Sequence, residues 1–479
     1  MNFFEQLAYY VNEINGVLWG YLLIFLLCGT GLYYTIRLGF LQVRYFKTGF
    51  KSLMSGISLS GQKADKTGMS SFQAVATAIS GQVGTGNLAG PATAIILGGP
   101  GAIFWMWISS FFGMATIYAE AILAQKFKSH DKEGQVVGGP AYYIEKGLKC
   151  KWLAAMFAIS CILALGIIGN MVQSNSIASA FQQSVGLPNW VSGLIVACLT
   201  GVVTIGGIRS IASFTEKVVP LMAMCYLLGA LAILIVNYDY VLPAFEAIFV
   251  AAFNPTAVVG GGAGIAIQQA MRFGIARGLF ANEAGMGSTP HAHAVARVTR
   301  PEHQGFIAMM GVFLVALIVT ITALVIITSA MKMWVATGQV QENFLNVFQG
   351  QGIVITQQAY EYIFGNFGNL FIAASLFFFA FSTIIGWYYY SEVNIRYLFN
   401  SKRAVRVFQI AVIFGVFFAS LFDVKLVWDM ADMFNGIMVL PNLIALLVLS
   451  PIVIEWSRHK NFASNIEAKM DEPIAEKSH

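Results

Sequence analysis

The sequence has few charged residues and few cysteines. Charged side chains make up 11% of its 479 residues, whereas soluble domains usually carry about 25%. The 5 cysteines include no C-x-x-C pair, and no H-E-x-x-H motif is present, so the common thiol-redox and zinc-protease patterns are absent. The net charge of +5 is too modest to indicate a nucleic-acid partner. These deficits exclude an ordinary soluble globular protein.

Apolar residues take the place of the missing charge. Hydrophobic residues make up 57% of the chain, and the mean hydropathy is +0.69. A helix needs about 20 mainly apolar residues to cross the hydrocarbon core of a bilayer. This rule predicts an all-α membrane protein with about eleven transmembrane helices. Their approximate bounds are 17–37, 69–97, 101–126, 152–182, 189–207, 214–236, 243–281, 304–331, 367–396, 404–422 and 426–456.

The basic residues sort to one side of this arrangement. If the N-terminus is outside and the spans alternate, every one of the 28 Lys and Arg residues except Lys332 and Lys425 falls in a cytoplasmic connection or the tail. Arg272 and Arg277 are among those placed on the cytoplasmic side. Cytoplasmic loops of membrane proteins are enriched in Lys and Arg. The sorting therefore predicts a multi-pass protein of the inner or plasma membrane with its N-terminus outside and its C-terminus in the cytoplasm.

Two of the predicted spans are interrupted by glycine. Glycine disfavours a helix by about 1 kcal/mol per position, and span two has a cluster of Gly81, Gly84, Gly86 and Gly90, whereas span seven has a run over 260–264. Opened backbone inside a bilayer must be buried in protein or line a cavity. The two spans are five apart and so cross the membrane in opposite directions. Broken helices 2 and 7 in such an inverted repeat are typical of secondary transporters with binding sites near mid-membrane.

This repeat divides the chain into four parts. We expect an extra N-terminal helix with a basic cytoplasmic connection, a first inverted repeat, a second inverted repeat and a cytoplasmic tail. Their predicted bounds are 1–68, 69–236, 237–457 and 458–479.

The interruptions suit a neutral zwitterion accompanied by a cation. The half-helix after a break presents N–H groups that favour a carboxylate, and the half-helix before it presents carbonyls that favour an ammonium group or Na+. No Asp, Glu, Lys or Arg lies between Ser70 and Pro91. Oxygen ligands of this kind suit a hard cation such as Na+ better than a soft metal. The ligand is thus expected to be a small neutral amino acid, and no cofactor other than a coupling ion is expected.

Polar residues in three other spans leave alternatives open. In span nine, Ser382 and Thr383 either face the site or bond back to their own helical turn. In span four, Asn170, Gln173 and Asn175 are either ligands or interhelical hydrogen-bonding groups. In span three, Glu120 is expected to be interfacial or paired rather than proton-carrying.

A metalloenzyme and a channel are the alternatives to a transporter. His291 and His293, with Glu283 and His303 nearby, could suggest Zn2+ in a membrane-embedded metalloenzyme. Histidines two residues apart do not share a helix face, and the basic surroundings predict a solvated cytoplasmic loop instead. A channel would need repeated filter motifs or rings of charge, and the sequence has neither.

Four segments resemble a known family. The run GGPGAIFWMWISSFFG over 98–113 is similar to the signature of the alanine or glycine:cation symporter family, the sodium:alanine symporters. The segments 84–90, 138–143 and 282–290 also resemble segments of that family. The resemblance implies a LeuT-type fold of 5+5 spans with one extra N-terminal helix. It also implies Na+- or H+-coupled uptake of alanine, glycine or similar amino acids.

The resemblance assigns roles to individual residues. The segment 84–87 looks like the unwound part of LeuT-type carriers. The residues expected to bind or enclose the substrate are Thr77, Gln82, Gly84, Thr85, Gly86, Gly261, Gly262, Thr383 and Trp387. Asn87 is expected to bind one sodium ion, and a second is expected to be bound by Ser80, Val83, Ser382 and Thr383. Gln82 departs from the family pattern and leaves serine, D-alanine and glutamine open beside alanine and glycine.

Overall fold

The fold is almost wholly helical. A computed structural model describes residues 3–56, 71–132, 134–254, 263–298, 300–338 and 343–457. Within these ranges seven helices are long and apolar enough to cross a membrane. They run over Glu5–Arg37, Ala102–Lys126, Lys151–Val185, Ser210–Val236, Pro301–Ala336, Asn366–Phe399 and Val424–Val448.

The helices are labelled in chain order, and short π-helical turns at Leu18–Leu22, Ile144–Leu148 and Ile162–Gly169 join some of them. The first half contains α1 Phe3–Val17, α2 Leu23–Arg37, α3 Leu41–Arg44, α4 Phe46–Gly56, α5 Ser71–Gln82, α6 Thr85–Gly98, α7 Ala102–Lys126, α8 Pro140–Tyr143, α9 Lys151–Cys161, α10 Asn170–Val185, α11 Asn189–Ile205 and α12 Gly207–Val236. The second half contains α13 Tyr238–Phe253, α14 Ala263–Asn282, α15 Pro290–Val295, α16 Pro301–Ala336, α17 Ile353–Phe364, α18 Asn366–Phe399, α19 Lys402–Ala419, α20 Val424–Val448 and α21 Ser450–Ser457. A 3₁₀ turn at Phe344–Val347 precedes α17, and an antiparallel hairpin pairs β1 Ser129–His130 with β2 Val136–Val137.

The predicted interruption of span two coincides with a junction between two helices. Helix α5 ends at Gln82 and α6 begins at Thr85. Between them Gly84 has an extended backbone, with φ −131° and ψ −153°. We call residues 83 and 84 the 83–84 junction. It exposes the first N–H groups of α6 to whatever packs against it.

The predicted interruption of span seven over 260–264 falls largely outside the described residues. The predicted glycine ligands Gly261 and Gly262 lie outside the described residues. Helix α13 ends at Phe253, α14 runs to Asn282, and the chain then turns irregularly before α15 begins at Pro290. We call residues 283–289 the 283–289 loop. Three of its residues, Glu283, Gly285 and Gly287, have positive φ angles of 58°, 89° and 80°.

This course of α14 corrects part of the charge sorting. The sorting places Arg277 in a cytoplasmic connection. Arg277 instead lies inside α14 with a 3% exposed side chain, and it pairs with Asp432 of α20. The reason is that α14 continues past Arg277 to Asn282 before the chain turns, so Arg277 is a helical residue of the bundle interior.

The N-terminal helices pack along α20. Asn15 Nδ2 donates to the carbonyl of Asp429 at 2.8 Å, and Trp19 Nε1 donates to the carbonyl of Asp432 at 3.1 Å. Further along, Tyr33 and Ser450 share a hydroxyl hydrogen bond of 2.9 Å. Helix α2 also contacts α7, which itself packs against α14 and α16. The extra N-terminal helix is thus joined to the helices that surround the site.

Candidate functional site

Residues on α5 are held by local and interhelical hydrogen bonds. Ser80 Oγ donates to the carbonyl of Thr77 at 2.8 Å, and the Thr77 hydroxyl pairs with that of Thr215 at 3.1 Å. Val83 is buried, and its N–H closes the last turn on Ile79 at 2.7 Å. The backbone carbonyls of Ser80 and Gly81, near the end of α5, face α18.

Thr383 of α18 contacts both of these carbonyls. Its hydroxyl donates to the carbonyl of Ser80 at 2.8 Å and approaches that of Gly81 at 3.5 Å. A methyl group added at Gly84 would clash with Thr383 Oγ1. Ser382 behaves differently, since its hydroxyl bonds to the carbonyl of Phe379 in its own helix at 2.9 Å. Of the two hydroxyls, only that of Thr383 bridges directly to α5.

The first turn of α6 carries buried polar atoms without partners. Asn87 Nδ2 donates to the carbonyl of Gln82 at 2.8 Å. Asn87 Oδ1 and Thr85 Oγ1, by contrast, find no hydrogen-bond partner in the described part of the chain, although both residues are completely buried. Buried polar groups are normally paired. Unpaired oxygens beside an opened backbone are what a ligand site requires.

A residue of span four completes this group. The N–H of Thr85 donates to Gln173 Oε1 at 3.0 Å, while Gln173 Nε2 is buried and unpaired among the described residues. The sequence left Gln173 open between ligand and interhelical bond. The two neighbouring asparagines make other contacts. Asn170 Nδ2 donates to the carbonyl of Gly166 in the same span, and Asn175 Nδ2 donates to the carbonyls of Ala419 and Phe422. Only Gln173 of the three reaches the 83–84 junction.

Gln82 connects the junction to the end of α14. Its Nε2 donates to the carbonyl of Asn282 at 2.9 Å. On the neighbouring turn, an added methyl at Gly86 would lie 3.0 Å from Phe280 Cδ1. The end of α5 and the end of α14 are thus directly joined, although about 200 residues separate them in the chain.

Trp387 of α18 lies against the end of α14 and the start of the 283–289 loop. Its Nε1 donates to Glu283 Oε1 at 2.5 Å, and its ring meets Phe280 edge-on with centroids 5.5 Å apart. An added methyl at Gly169 would lie 2.5 Å from Trp387 Cζ3. Sequence reasoning selected Trp387 but missed Phe280 and left Glu283 aside as part of an unsupported zinc pattern. The segment 282–290, which resembles the family, was the available signal.

The second buried carboxylate braces the same loop. Glu120 of α7 accepts the N–H groups of Gly285 and Gly287 at 3.2 and 3.0 Å. It also accepts Asn442 Nδ2 at 2.6 Å. The side chain is completely buried, and its hydrogen bonds satisfy three donors that would otherwise be orphaned. Glu120 is therefore a buried, hydrogen-bonded residue, as the expectation that it is paired requires.

The two histidines are not in a solvated loop, and that expectation is corrected. His291 and His293 lie in α15 and are 0% and 1% exposed. His291 Nδ1 faces the carbonyl of Ser288 at 2.6 Å and must carry the proton. Its Nε2 accepts from Asn394 Nδ2 at 2.8 Å, so His291 has both ring nitrogens in use. Among the described residues no group of three His, Cys, Asp or Glu side chains could hold a metal ion.

A buried ion pair lies next to the aromatic residues that pack against Trp387. Arg277 donates from both terminal nitrogens to the two carboxylate oxygens of Asp432 at 2.8 and 2.7 Å. The Arg277 guanidinium also stacks 4.6 Å from the Trp428 ring, and Trp428 packs on Phe280 at 4.9 Å. A continuous series of side-chain contacts therefore runs from the ion pair through Trp428 and Phe280 to Trp387.

Comparison with known proteins identifies the class to which this site belongs. A profile of the sodium:alanine symporter family matches residues 4–476. The sodium/alanine symporter AgcS of Methanococcus maripaludis is 41% identical over 464 residues, which cover 96% of this chain and 98% of AgcS. The chain belongs to the sodium:alanine symporter family. The resemblance seen in the sequence is confirmed.

Two further comparisons agree with that membership. The probable sodium/glutamine symporter GlnT of Bacillus subtilis is 39% identical over 451 residues, covering 94% of this chain and 90% of GlnT. The crystal structure of MhsT in complex with L-phenylalanine covers 82% of this chain and 99% of its own, with a TM-score of 0.58 and 13% identity. At that identity the structural match shows a shared fold alone.

Family membership establishes the broad function. Members of the sodium:alanine symporter family are transporters and not enzymes, so the metalloenzyme alternative is discarded on that ground. The protein is a multi-pass membrane protein and a Na+-coupled amino-acid transporter, with Na+ and an alanine-type amino acid as its expected cargo.

Proposed function

We propose that the protein carries one small neutral amino acid together with Na+ by alternating access, with alanine and glycine as the first candidates. The observation that carries the proposal is the 83–84 junction. There Thr85 Oγ1, Asn87 Oδ1 and Gln173 Nε2 are buried and unpaired within the described residues. Such groups need a polar ligand, because an unmet buried hydrogen bond costs about 1–3 kcal/mol.

The substrate carboxylate is proposed to lie at the start of α6. The partial positive charge of a helix N-terminus favours an anion, and the N–H groups of Gly84, Thr85 and Gly86 lie there. Gln173 would donate from its unpaired Nε2 to the same carboxylate. Thr383 and Trp387 would enclose the substrate side chain. Thr77 and Gln82 are retained as polar neighbours of the pocket, and Gly261 and Gly262 as ammonium-facing groups.

The limited space favours a small side chain. Added methyl groups at Gly84 and Gly169 would collide with Thr383 and Trp387 respectively. Phe280 packs against the indole, with ring centroids 5.5 Å apart. Alanine and glycine fit such a pocket best. Serine, D-alanine and glutamine remain to be tested, the last because a relative is named for it.

The sodium ion is proposed to bind between α5, α6 and α18. Thr383 Oγ1 already meets the carbonyl of Ser80 at 2.8 Å, so two oxygens converge on one point. Asn87 Oδ1 supplies a further unpaired oxygen. The Val83 carbonyl and the Ser382 hydroxyl are the remaining proposed ligands. All are hard oxygen donors, as an alkali cation requires.

The architecture is proposed to comprise eleven spans in two inverted repeats after the extra N-terminal span. The seven long helices are supplemented by α11 and α19 and by two discontinuous spans. The first of these would be α5 with α6, and the second α14 with α15. The repeats would occupy 69–236 and 237–457, after 1–68 and before the tail 458–479. The excess of Lys and Arg supports an outside N-terminus and a cytoplasmic C-terminus.

Proton coupling is the second candidate, and a specific observation favours it. Glu283 is completely buried, and its carboxylate accepts hydrogen bonds from two neutral groups, the Trp387 indole and the Ser288 hydroxyl. A carboxylate inside a membrane protein is commonly a proton or cation carrier. A proton bound there would replace Na+ as the coupling ion, or accompany it.

Purified protein in liposomes separates these possibilities. Alanine uptake should be driven by an inward Na+ gradient and be competed by glycine but not by charged amino acids. The variants Asn87→Ala and Thr383→Ala should weaken Na+-dependent uptake without loss of membrane insertion, whereas Gln183→Ala on the exposed face of α10 should not. Unchanged Na+ affinity and transport in both site variants would refute the site. Uptake driven only by a pH gradient would favour the second candidate.

A further inference from the structure

We infer that Glu283 is a positioning residue that fixes the indole of Trp387 and thereby sets the size of substrate the carrier accepts. The inference rests on the proposed function, because it assumes that Trp387 encloses the substrate side chain. Neither the sequence around Glu283 nor its position in the 283–289 loop indicates this role.

Three residues from two separate parts of the chain contact the Trp387 indole. Gly169 of span four lies close to its Cζ3 atom, Phe280 of α14 packs nearly perpendicular to it, and Glu283 of the 283–289 loop accepts its Nε1 hydrogen at 2.5 Å. Gly169 and Phe280 limit the ring by contact alone. Glu283 makes the one directional contact of the three. It therefore selects which way the indole nitrogen points and how far the ring enters the pocket.

Hydrogen bonds other than that to the indole hold Glu283 in place. Its second oxygen accepts the Ser288 hydroxyl at 2.5 Å. Its backbone N–H caps α14 on the carbonyl of Leu279 at 2.8 Å, and its own carbonyl accepts the N–H of Met286 at 3.1 Å. With its backbone tied at both ends and one carboxylate oxygen bound, the side chain presents the other oxygen in one direction.

Three local costs argue that this carboxylate is retained for its contact with Trp387. Glu283 has a φ of 58°, a left-handed conformation that favours glycine or asparagine. It follows the C-terminus of α14, where the helix dipole disfavours an anion. It is also completely buried, which disfavours a charge. Local rules would select glycine here, and residues that break them cluster at functional positions.

Substrate size then depends on Glu283 through Trp387. In the proposed site, the held indole would bound the space for the substrate side chain beside Thr383. Without the acceptor, the indole can rotate about its side-chain bonds and the pocket deepens. The loss of one buried hydrogen bond is large enough to change discrimination by about tenfold.

The transport test compares alanine with glutamine as substrates. Glu283→Gly relieves the left-handed backbone but removes the acceptor, so the alanine-to-glutamine ratio of kcat/KM should fall about tenfold. Trp387→Phe should lower this ratio by a similar factor. In the double variant, Glu283→Gly with Trp387→Phe, the ratio should be no lower than in either single variant. Glu283→Gln keeps an acceptor oxygen and should retain most of the ratio. Glu246→Gln, at an exposed position of α13, is the matched control. A wild-type ratio in Glu283→Gly, or additive losses in the double variant, would overturn the inference.

A second measurement does not depend on transport. Protein labelled with 5-fluorotryptophan has 9 tryptophan resonances, and the one missing in Trp387→Phe belongs to Trp387. That ¹⁹F resonance should move in Glu283→Gly and stay in place in Glu246→Gln. An unmoved resonance would overturn the role of Glu283. A wild-type protein without Na+-driven uptake would instead reject the proposed function, so the two failures are distinguishable.

Discussion

The backbone N–H of Thr85 donates to Gln173 Oε1 at 3.0 Å, across the junction between α5 and α6. The carboxamide oxygen thus occupies the helix N-terminus where the proposed substrate carboxylate would lie. The other half of the amide, Nε2, is buried and unpaired among the described residues. Gln173 is therefore arranged to exchange one contact for another when an anion arrives.

Substitution of Gln173 by glutamate tests this exchange. In Gln173→Glu a carboxylate of the protein itself would lie at the N-terminus of α6, where the helix dipole stabilises it by up to about 2 kcal/mol. It would compete with the substrate, and we expect the KM for alanine to rise about tenfold. Gln183→Glu places the same charge at an exposed position of the same helix. Uptake kinetics in liposomes give both values, and equal KM values in the two variants would contradict the exchange.

Two glycines of α6 and its junction allow a matched steric test. In Gly84→Ala the new methyl group would collide with Thr383 Oγ1, whereas in Gly90→Ala it would meet nothing within 4 Å. We expect Gly84→Ala to abolish Na+-driven alanine uptake because the junction and Thr383 can no longer approach. Gly90→Ala should retain uptake and gain up to about 1 kcal/mol of helix propensity. Parallel uptake and thermal-melting assays check both, and full activity in Gly84→Ala would reject the junction as the site.

Some of this arrangement could be read from local sequence. Long apolar segments predict helices because the bilayer sets a minimum length, and the predicted span 189–207 closely matches α11 Asn189–Ile205. The glycine and polar cluster around Gly84 predicts a weak point because each glycine there lowers local helix stability. Both signals depend on neighbouring residues only.

The remainder depends on partners that are distant in the chain. Gly285 and Gly287 follow Glu283 closely in the chain, but no local pattern indicates that Glu283 meets Trp387, 104 residues away. Gln173 and Asn170 are likewise one turn apart in a polar run, and tertiary packing alone brings Gln173 to Thr85. The same packing explains why Arg277, a basic residue counted with the loops, is buried against Asp432.

The Arg277–Asp432 pair should matter more for stability than the second ion pair of α20. Its side chains are 3% and 14% exposed, against 63% and 22% for Lys425 and Asp429. Removing one member of a buried pair leaves an uncompensated charge and costs about 3–5 kcal/mol, while an exposed pair contributes about 0–1 kcal/mol. Arg277→Ala should thus lower the midpoint of thermal unfolding clearly, and Lys425→Ala hardly at all.

A double substitution shows whether that loss comes from the unpaired charge. Arg277→Met with Asp432→Leu removes both charges and fills similar volume, and such replacements are often neutral or stabilising. We expect the double variant to melt higher than either single variant. If it melted lower than both, the pair would contribute through its geometry rather than through mutual compensation.

Thr383 allows the hydroxyl group to be tested apart from its shape. Its Oγ1 meets the Ser80 carbonyl at 2.8 Å, and in the proposed site both oxygens face the sodium ion. Thr383→Val keeps the branched shape but removes one oxygen ligand, so we expect the Na+ concentration for half-maximal uptake to rise about tenfold. Thr383→Ser keeps the oxygen and should stay close to the wild type. Sodium titrations of alanine uptake measure both, and a Thr383→Val protein with wild-type Na+ dependence would show that the hydroxyl only bridges two helices.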